Sequence, residues 1–322
     1  MTSDAPFFAA ISEGPDGGYA KWVHASDGVR LRVGYWPLDG ASETAKGTAK
    51  GPTKGTVLLF PGRTEYIEKY GRTASALAEK GLATLAIDWR GQGLADRLDD
   101  EKMLGHVGSF ADYQLDVQAM LATAKELGAP EPYFLLAHSM GGCIGLRALH
   151  EGLPVKAAAF SAPMWGISLA PHMRPIATLL STVATRFGVG ARFAPGTSSE
   201  TYLLSSPFED NMLTTDADMW AYMKRQAEAQ PELTLAGPSL QWLHEALVEC
   251  KALAAMPSPA QKTLTFLGTQ ERIVDALSVK NRMAEWSNGT LRPVLGAEHE
   301  VLMEDAATRA QLNSEMAAFF LS

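Results

Sequence analysis

One stretch, residues 133–145, restricts the fold more than any other part of this 322-residue chain. It begins with an apolar run at residues 133–137, typical of a buried strand, and a helix-forming segment starts at Met140. Ser139 stands between them, with Ala137 two residues before it and Gly141 two residues after it. The spacing predicts a tight strand–turn–helix with Ser139 at its apex. The alternative is a serine that caps an ordinary helix.

The residue types around Ser139 also indicate chemistry. A Gly-x-Ser-x-Gly pentapeptide at such a turn holds the serine hydroxyl out of the sheet as a nucleophile. Here the pentapeptide is Ala137-His138-Ser139-Met140-Gly141, in which alanine replaces the first glycine and adds only slight crowding. Ser139 is therefore the candidate nucleophile.

Short apolar segments alternate with helical ones along most of the chain. Strands are predicted at residues 56–60, 83–88, 133–137, 157–160, 262–267 and 290–295. Helices are predicted at residues 66–80, 110–127, 140–151, 276–286 and 306–320. This alternation predicts an α/β fold, in which a mostly parallel sheet is covered by helices on both faces.

Two segments before residue 56 have a different character. Residues 19–24 and 29–36 flank the turn Ser26-Asp27-Gly28 and are predicted to form an antiparallel hairpin at a sheet edge. Residues 39–55 are rich in Gly, Ala, Thr and Lys and have almost nothing to bury, which predicts a mobile surface loop.

A longer interruption covers residues 161–249, which are helix-like, rich in Met, Trp, Leu and Phe, and broken by prolines. Because the sheet pattern resumes afterwards, we predict an inserted helical cap rather than a separate domain. The chain then divides into a first core part at residues 1–160, the cap at residues 161–249, and a second core part at residues 250–322.

Composition excludes several classes of protein. The net charge is −8 and no run of lysines or arginines occurs, so no nucleic-acid partner is expected. Two cysteines, Cys143 and Cys250, are too few for a disulfide scaffold and fit a reducing compartment. Residues 1–10 do not read as a secretory signal and no apolar run reaches the length of a membrane span, so a cytoplasmic location is expected.

A serine nucleophile needs a base, and the base needs an orienting carboxylate. Of the seven histidines, His299 stands in a short loop between the last predicted strand and the last helix. Two carboxylates follow the strand at residues 262–267: Glu271, where the chain first turns over the sheet, and Asp275, one helical turn later. We predict Glu271 as the orienting acid and keep Asp275, which is also a candidate helix cap, as the alternative.

Acyl transfer also requires donors for the oxyanion of the tetrahedral intermediate. The backbone N–H of Met140, at the N-terminus of the helix after Ser139, is one candidate. The loop Phe60-Pro61-Gly62-Arg63 follows the first parallel strand and is expected to supply the other; the alternative is a simple turn. Because proline has no N–H, the backbone of Arg63 is the predicted second donor.

No metal or cofactor is expected from the sequence. The motif Asp88-Trp89-Arg90-Gly91-Gln92-Gly93 follows a strand but lacks the third glycine of a dinucleotide-binding turn. We interpret it as a structural turn in which Arg90 braces loops near the site. Histidines and cysteines do not stand at metal-ligand spacing.

Six short segments together carry a resemblance to a known family. They are Phe60-Pro61-Gly62-Arg63-Thr64-Glu65-Tyr66, Lys69-Tyr70, Asp88-Trp89-Arg90-Gly91-Gln92-Gly93, His138-Ser139-Met140-Gly141-Gly142, Glu271-Arg272-Ile273-Val274-Asp275 and Gly296-Ala297-Glu298-His299-Glu300. The chain resembles the branch of the α/β-hydrolase superfamily that holds bacterial lysophospholipases and monoacylglycerol lipases, often grouped with serine aminopeptidases. The resemblance runs from Trp22 to the C-terminus, loosely in the cap, and implies the α/β-hydrolase fold.

Two departures place the chain within that branch. Monoacylglycerol lipases usually carry His-Gly where this chain has Pro61-Gly62, and Asp where it has Glu271. The lysophospholipase branch resembles this chain in both places. The resemblance therefore implies a carboxylic-ester hydrolase that acts through an acyl-enzyme on a lipid-like substrate, first a lysophospholipid and next a monoacylglycerol.

Other functions stay open at this stage. A hydrolase of small esters shares the same triad, and so does an aminopeptidase, which would hold the free amine of its substrate with a carboxylate. The candidate carboxylates are Glu209, Asp210, Asp216 and Asp218. From a different class comes a non-catalytic ligand-binding protein that uses the same pocket.

The cap is expected to form an acyl-binding wall above Ser139 and to offer a surface for peripheral contact with the inner membrane face. Most of its apolar side chains are expected to pack against the core, and the remainder to line the groove. They are Met164, Trp165, Ile167, Leu169, Met173, Ile176, Leu179, Leu180, Phe187, Phe193, Met212, Leu213, Met219, Trp220, Met223 and Trp242. Arg174, Arg186 and Arg192 are candidates to meet a phosphate head group or an anionic bilayer. The sequence leaves the oligomeric state open.

Overall fold

The computed structural model describes residues 2–38, 53–170 and 172–322. The predicted loop at residues 39–55 lies outside these residues except for residues 53–55. The strands are β1 (Ser3–Ala5), β2 (Tyr19–His24), β3 (Arg30–Trp36), β4 (Thr56–Phe60), β5 (Ala83–Asp88), β6 (Tyr133–His138), β7 (Ala157–Ser161), β8 (Lys262–Gly268) and β9 (Gly289–Val294). They form one sheet in the order β1-β2-β3-β5-β4-β6-β7-β8-β9.

From β5 to β9 all neighbouring strands are parallel, whereas β1, β2 and β3 are antiparallel additions at one side. The predicted mostly parallel sheet is confirmed. The central strands β4, β5 and β6 are buried along their whole length, as expected for strands covered on both faces. The predicted hairpin forms, but the short strand β1 pairs with it and takes the edge position.

Helices cover both faces of the sheet. They are α1 (Ala9–Ser12), α2 (Gly71–Ala78), α3 (Asp112–Glu126), α4 (Met140–His150), α5 (Met173–Arg186), α6 (Tyr202–Ser205), α7 (Ala217–Ala229), α8 (Leu240–Ala254), α9 (Ala276–Ala284) and α10 (Ala306–Leu321). Apolar residues of α3, α4, α8 and α9 share one core cluster with the sheet, and those of α2, α7 and α10 share the other. The predicted helix at residues 66–80 begins as a 3₁₀ turn at Ile67–Tyr70.

Residues 161–249 contain helices α5, α6, α7 and most of α8, between β7 and β8. The helix α8 continues to Ala254, so the predicted cap boundary after residue 249 falls inside a helix. Two of these helices pack into the core: Met219, Tyr222 and Met223 of α7 and Trp242 of α8 are buried there. In contrast, only Ser181 and Ala184 of α5 are buried, so this helix stands outward from the body of the protein.

Candidate active site

The chain turns sharply at Ser139, between β6 and α4. Ser139 has φ 49° and ψ −118°, a backbone conformation that non-glycine residues rarely adopt. Gly141 permits the close approach of the loop after β4, because a Cβ at this position would lie 2.1 Å from the carbonyl oxygen of Phe60. The turn therefore holds the Ser139 hydroxyl at the carboxyl edge of the sheet, where the loops after the parallel strands meet.

A continuous chain of hydrogen bonds joins three residues that lie far apart in sequence. Ser139 Oγ lies 2.9 Å from His299 Nε2, and His299 Nδ1 lies 2.8 Å from Glu271 Oε2. Because an ionised carboxylate can only accept, Nδ1 carries a proton and Nε2 is left to accept the Ser139 hydroxyl proton. The structure thus brings together the three residues that the sequence analysis selected as nucleophile, base and acid.

The two candidate acids occupy different environments. Glu271 Oε1 accepts hydrogen bonds from the backbone N–H groups of Ile273 and Val274, at 2.7 and 2.9 Å. Burial alone would raise the pKa of Glu271, but the bond to His299 and these N–H groups hold that pKa below its ordinary value. Asp275 instead caps α9 and binds Ser278 and Arg174. The geometry accordingly gives Glu271 the contact with the histidine.

The two predicted oxyanion donors lie on chain segments that pack against each other, since Gly141 approaches the backbone of Phe60 and Pro61. Among the residues that the structure describes, no hydrogen-bond acceptor is found for the backbone N–H of Met140 or of Arg63. Two side-chain hydrogen bonds hold the loop that carries Arg63. Trp89 Nε1 donates to the Pro61 carbonyl at 2.9 Å, and Gln92 Nε2 donates to the Gly62 carbonyl at 3.0 Å. Both N–H groups are therefore available to a ligand.

The motif at residues 88–93 supports this loop through residues that the sequence analysis did not single out. Trp89 and Gln92 make the contacts, whereas Arg90 pairs with Asp27 in the hairpin turn and with Asp116 on α3. The interpretation as a structural turn holds, but the bracing of the loop at residues 60–63 is done by the neighbours of Arg90.

A buried group of ionisable residues next to the triad was also missed. Within the described part of the chain, Glu65, His138 and Glu300 place potential metal-ligand atoms within 4.8 Å of one another. Spacing along the sequence does not reveal this group, because its members come from three segments that are far apart in the chain. Lys69 Nζ donates to both carboxylates, so an ammonium group already occupies the space between them. The only signal in the sequence was that each of these residues stands inside one of the six motifs.

Together, a mostly parallel sheet, a strained serine turn at its carboxyl edge and a hydrogen-bonded Ser–His–Glu chain define an α/β-hydrolase of the serine-hydrolase class. Residues 51–306 match the family described as serine aminopeptidase, S33. The chain belongs to this family, which confirms the resemblance drawn from the sequence.

Individual proteins extend this comparison. The chain is 31% identical to lysophospholipase L2 of Escherichia coli over 275 residues, covering 82% of this chain and 79% of the relative. A soluble variant of monoglyceride lipase from Saccharomyces cerevisiae, solved with a substrate analog, has a TM-score of 0.70 at 19% identity and coverage of 92% and 93%. A carboxyl esterase from Bacillus coagulans has a TM-score of 0.72 at 15% identity, with coverage of 94% and 97%. At these low identities the two structures show a shared fold.

Among residues 2–38, 53–170 and 172–322, no helix is both long enough and apolar enough to span a membrane.

Proposed function

We propose that this protein is a carboxylic-ester hydrolase for lysophospholipids, in which Ser139, His299 and Glu271 act as nucleophile, base and orienting acid. The observation that carries the proposal is the unbroken chain of hydrogen bonds from Ser139 Oγ through His299 to Glu271, with distances of 2.9 and 2.8 Å. Such a chain supplies the base and the tautomer that a serine nucleophile requires.

The reaction follows from the direction of these bonds. His299 Nε2 takes the Ser139 proton as Oγ attacks the ester carbonyl, and the resulting oxyanion accepts hydrogen bonds from the N–H groups of Arg63 and Met140. The His299 imidazolium then gives its proton to the leaving alkoxide, and an acyl-enzyme remains on Ser139. Water attacks this ester by the same route and releases the fatty acid.

An ester is favoured over a peptide because three of the four candidate carboxylates of the cap already have partners, and the fourth, Glu209, is exposed to solvent. Asp210 pairs with Arg272, Asp218 pairs with Arg72, and Asp216 caps α7. An aminopeptidase would need one of these groups for the free amine of its substrate. The similarity to lysophospholipase L2 supports the same choice.

The Arg63 side chain supports a substrate that carries a phosphate. Its Nη1 donates to the Ala236 carbonyl at 2.7 Å, and its guanidinium lies 5.5 Å from the centre of the Trp242 ring. Within the described residues, no carboxylate forms an ion pair with Arg63. Burial lowers the pKa of Arg63 to about 10, so the group keeps its positive charge at neutral pH. This partly desolvated guanidinium has no carboxylate partner among the described residues, and it belongs to the residue whose backbone N–H is the predicted oxyanion donor. Both features suit a phosphate head group.

The same proposal includes the cap. Residues 161–249 would cover the site, and the outward helix α5 would meet the lipid surface from which the substrate is taken. Exposed apolar side chains and three arginines on or near α5 support this contact. Arg174, Arg186 and Arg192 are exposed, and Arg174 is paired with Asp275.

The test compares hydrolysis of a lysophospholipid with that of a monoacylglycerol of equal acyl length, using Arg63→Met and Arg97→Met variants. Arg97 is a matched control, because it is also largely buried and bonds to the backbone carbonyls of Gly91 and Thr234 rather than to a carboxylate. For Arg63→Met we expect kcat/KM to fall about tenfold or more on the lysophospholipid and to stay unchanged on the monoacylglycerol. A tenfold loss corresponds to one lost charge-assisted hydrogen bond to the phosphate.

Ser139→Ala provides the background rate, since losing the serine costs about a millionfold in a well-studied protease. Retained activity in Ser139→Ala contradicts the hydrolase mechanism. Equal losses on the two substrates in Arg63→Met contradict the phosphate role and leave the hydrolase in place.

A further inference from the structure

Four ionisable side chains, Glu65, Lys69, His138 and Glu300, form a buried group beside the triad, which we call the charge cluster. Lys69 Nζ donates to Glu65 Oε1 and to Glu300 Oε1, and His138 Nε2 lies 3.3 Å from Glu300 Oε2 and 3.6 Å from Glu65 Oε1. None of the four side chains is more than 7% exposed. Water therefore screens these charges very little.

The members of the charge cluster come from three parts of the site. Glu65 is on the loop that carries Arg63, and its carboxylate accepts from the Gly62 N–H and the Tyr70 hydroxyl. His138 immediately precedes Ser139, and Glu300 immediately follows His299. Lys69 joins the Glu65 loop to the Glu300 loop. The cluster thus ties together the three segments that must meet for the reaction.

The contacts of His138 define its charge. Its Nδ1 lies 3.0 Å from the Ser161 carbonyl oxygen, and its Nε2 faces the two carboxylates without a well-aligned hydrogen bond. Because these neighbours are acceptors, both ring nitrogens carry protons. Burial alone would lower the pKa of His138, but Glu300 and Glu65 outweigh it and raise that pKa.

Glu300 shows the reverse balance. Burial alone would raise its pKa, but the positive charges of His138 and Lys69 hold that pKa well below its ordinary value. With Glu65 and Glu300 ionised and Lys69 and His138 protonated, two negative and two positive charges leave no net charge beside the triad. The His138 ring lies 4.8 Å from the His299 ring, so any imbalance would act directly on the candidate base.

We propose that the charge cluster is a positioning device, in which a fixed imidazolium at His138 and the Lys69 ammonium hold the three segments that carry Arg63, Ser139 and His299 in register. This proposal goes beyond the proposed function, because it assigns a positioning role to four residues that do not touch the substrate. It rests on that function only for the activity assay.

Charge balance gives the decisive comparison. Glu300→Gln leaves one uncompensated positive charge and Lys69→Met leaves one uncompensated negative charge, whereas the double variant restores a neutral group. We expect each single variant to lower kcat on a short p-nitrophenyl ester by about a hundredfold, the cost of a displacement of about 1 Å at such a site. The double variant should lose much less than the product of the two single losses.

A matched control separates positioning from simple loss of stability. Asp116 is also a buried carboxylate paired with an arginine, Arg90, but it contacts none of the three segments. Asp116→Asn should lower Tm about as much as Glu300→Gln and leave kcat within about threefold of wild type. The proposal is overturned if both single variants keep wild-type kcat, if Asp116→Asn loses as much kcat, or if the double variant loses the full product.

A second readout is independent of activity and remains usable if a single variant fails to fold. NMR titration of the histidine rings in a Ser139→Ala background should show His138 titrating above its ordinary pKa of 6.5. Adding Glu300→Gln should lower that pKa. A His138 ring that is neutral at pH 6.5 in the Ser139→Ala protein would overturn the proposal, whatever the outcome of the hydrolysis assays.

Discussion

The difference between Glu271 and Asp275 is decided by the partners of two carboxylates only four positions apart. Glu271 reaches His299 Nδ1 at 2.8 Å, whereas Asp275 binds Arg174 Nη2 at 2.7 Å and the N–H of Leu277 at 3.1 Å. The first set of contacts orients a base, and the second closes a helix end. Similar residues on the same loop thus have separate roles.

We therefore expect Glu271→Gln to lower kcat by about ten-thousandfold, as an uncharged partner permits the wrong tautomer of the base. Asp275→Asn should instead leave both stability and kcat nearly unchanged, because Asn caps a helix about as well as Asp. Steady-state kinetics and thermal unfolding of the two purified variants provide the check. A larger kinetic loss in Asp275→Asn would transfer the acid role to that residue.

At the scale of a single element, α5 is unusual because its apolar side chains face outward. Met173, Ile176, Leu179, Leu180 and Val183 are between 40% and 66% exposed, and Phe187 after the helix is 75% exposed. The sequence analysis expected most apolar residues of the cap to be covered, and for α7 and Trp242 they are. An apolar helix face flanked by arginines is typical of contact with an anionic lipid surface.

Replacing Ile176 and Leu179 together by serine should weaken binding to anionic vesicles by about tenfold or more, because each buried apolar side chain contributes about 1.5–3 kcal/mol. Hydrolysis of a short soluble ester should stay close to wild type. Leu295→Ser is the matched control, since Leu295 is 93% exposed but lies outside α5. Unchanged vesicle sedimentation of the Ile176/Leu179 variant, or an equal loss in Leu295→Ser, would contradict the lipid-docking role of α5.

At the scale of the whole molecule, the charge cluster makes folding stability depend on pH in two directions. Glu300 has a lowered pKa, so its contribution is complete above the ordinary value of 4.5 and is lost as pH falls through the pKa of the folded state. His138 has a raised pKa, so its contribution is complete below 6.5 and is lost as pH rises through the pKa of the folded state. Both contributions are complete between pH 4.5 and 6.5.

We expect the free energy of unfolding contributed by the cluster to be largest in this window and to decrease on both sides of it. Urea unfolding of the wild type and of a His138→Gln variant measures the difference between their free energies of unfolding. The measurements run from about pH 4 to 9, roughly the range in which carboxylates and histidine titrate. The stability gap between the two proteins should narrow as pH rises above neutrality. A gap that widens with pH would show that His138 is neutral in the folded protein.

The sequence by itself determined the sheet pattern and the candidate triad. Ser139, Glu271 and His299 were found because each follows the end of a predicted strand, and parallel strands bring their carboxyl ends to one edge. Periodicity also located α3, α4 and α10 within one or two residues. Local signals sufficed here, because the periodicity of a strand or helix is written in consecutive residues.

Only the tertiary structure decided which charges meet and which apolar faces stay uncovered. Lys69 and Glu300 are 231 positions apart, and no local sequence pattern predicts that their side chains are in contact. The exposure of α5 and the burial of α7 were equally hidden, because both helices carry similar numbers of apolar residues. Contacts between distant segments depend on how whole elements pack, and packing is a property of the folded chain rather than of any stretch of its sequence.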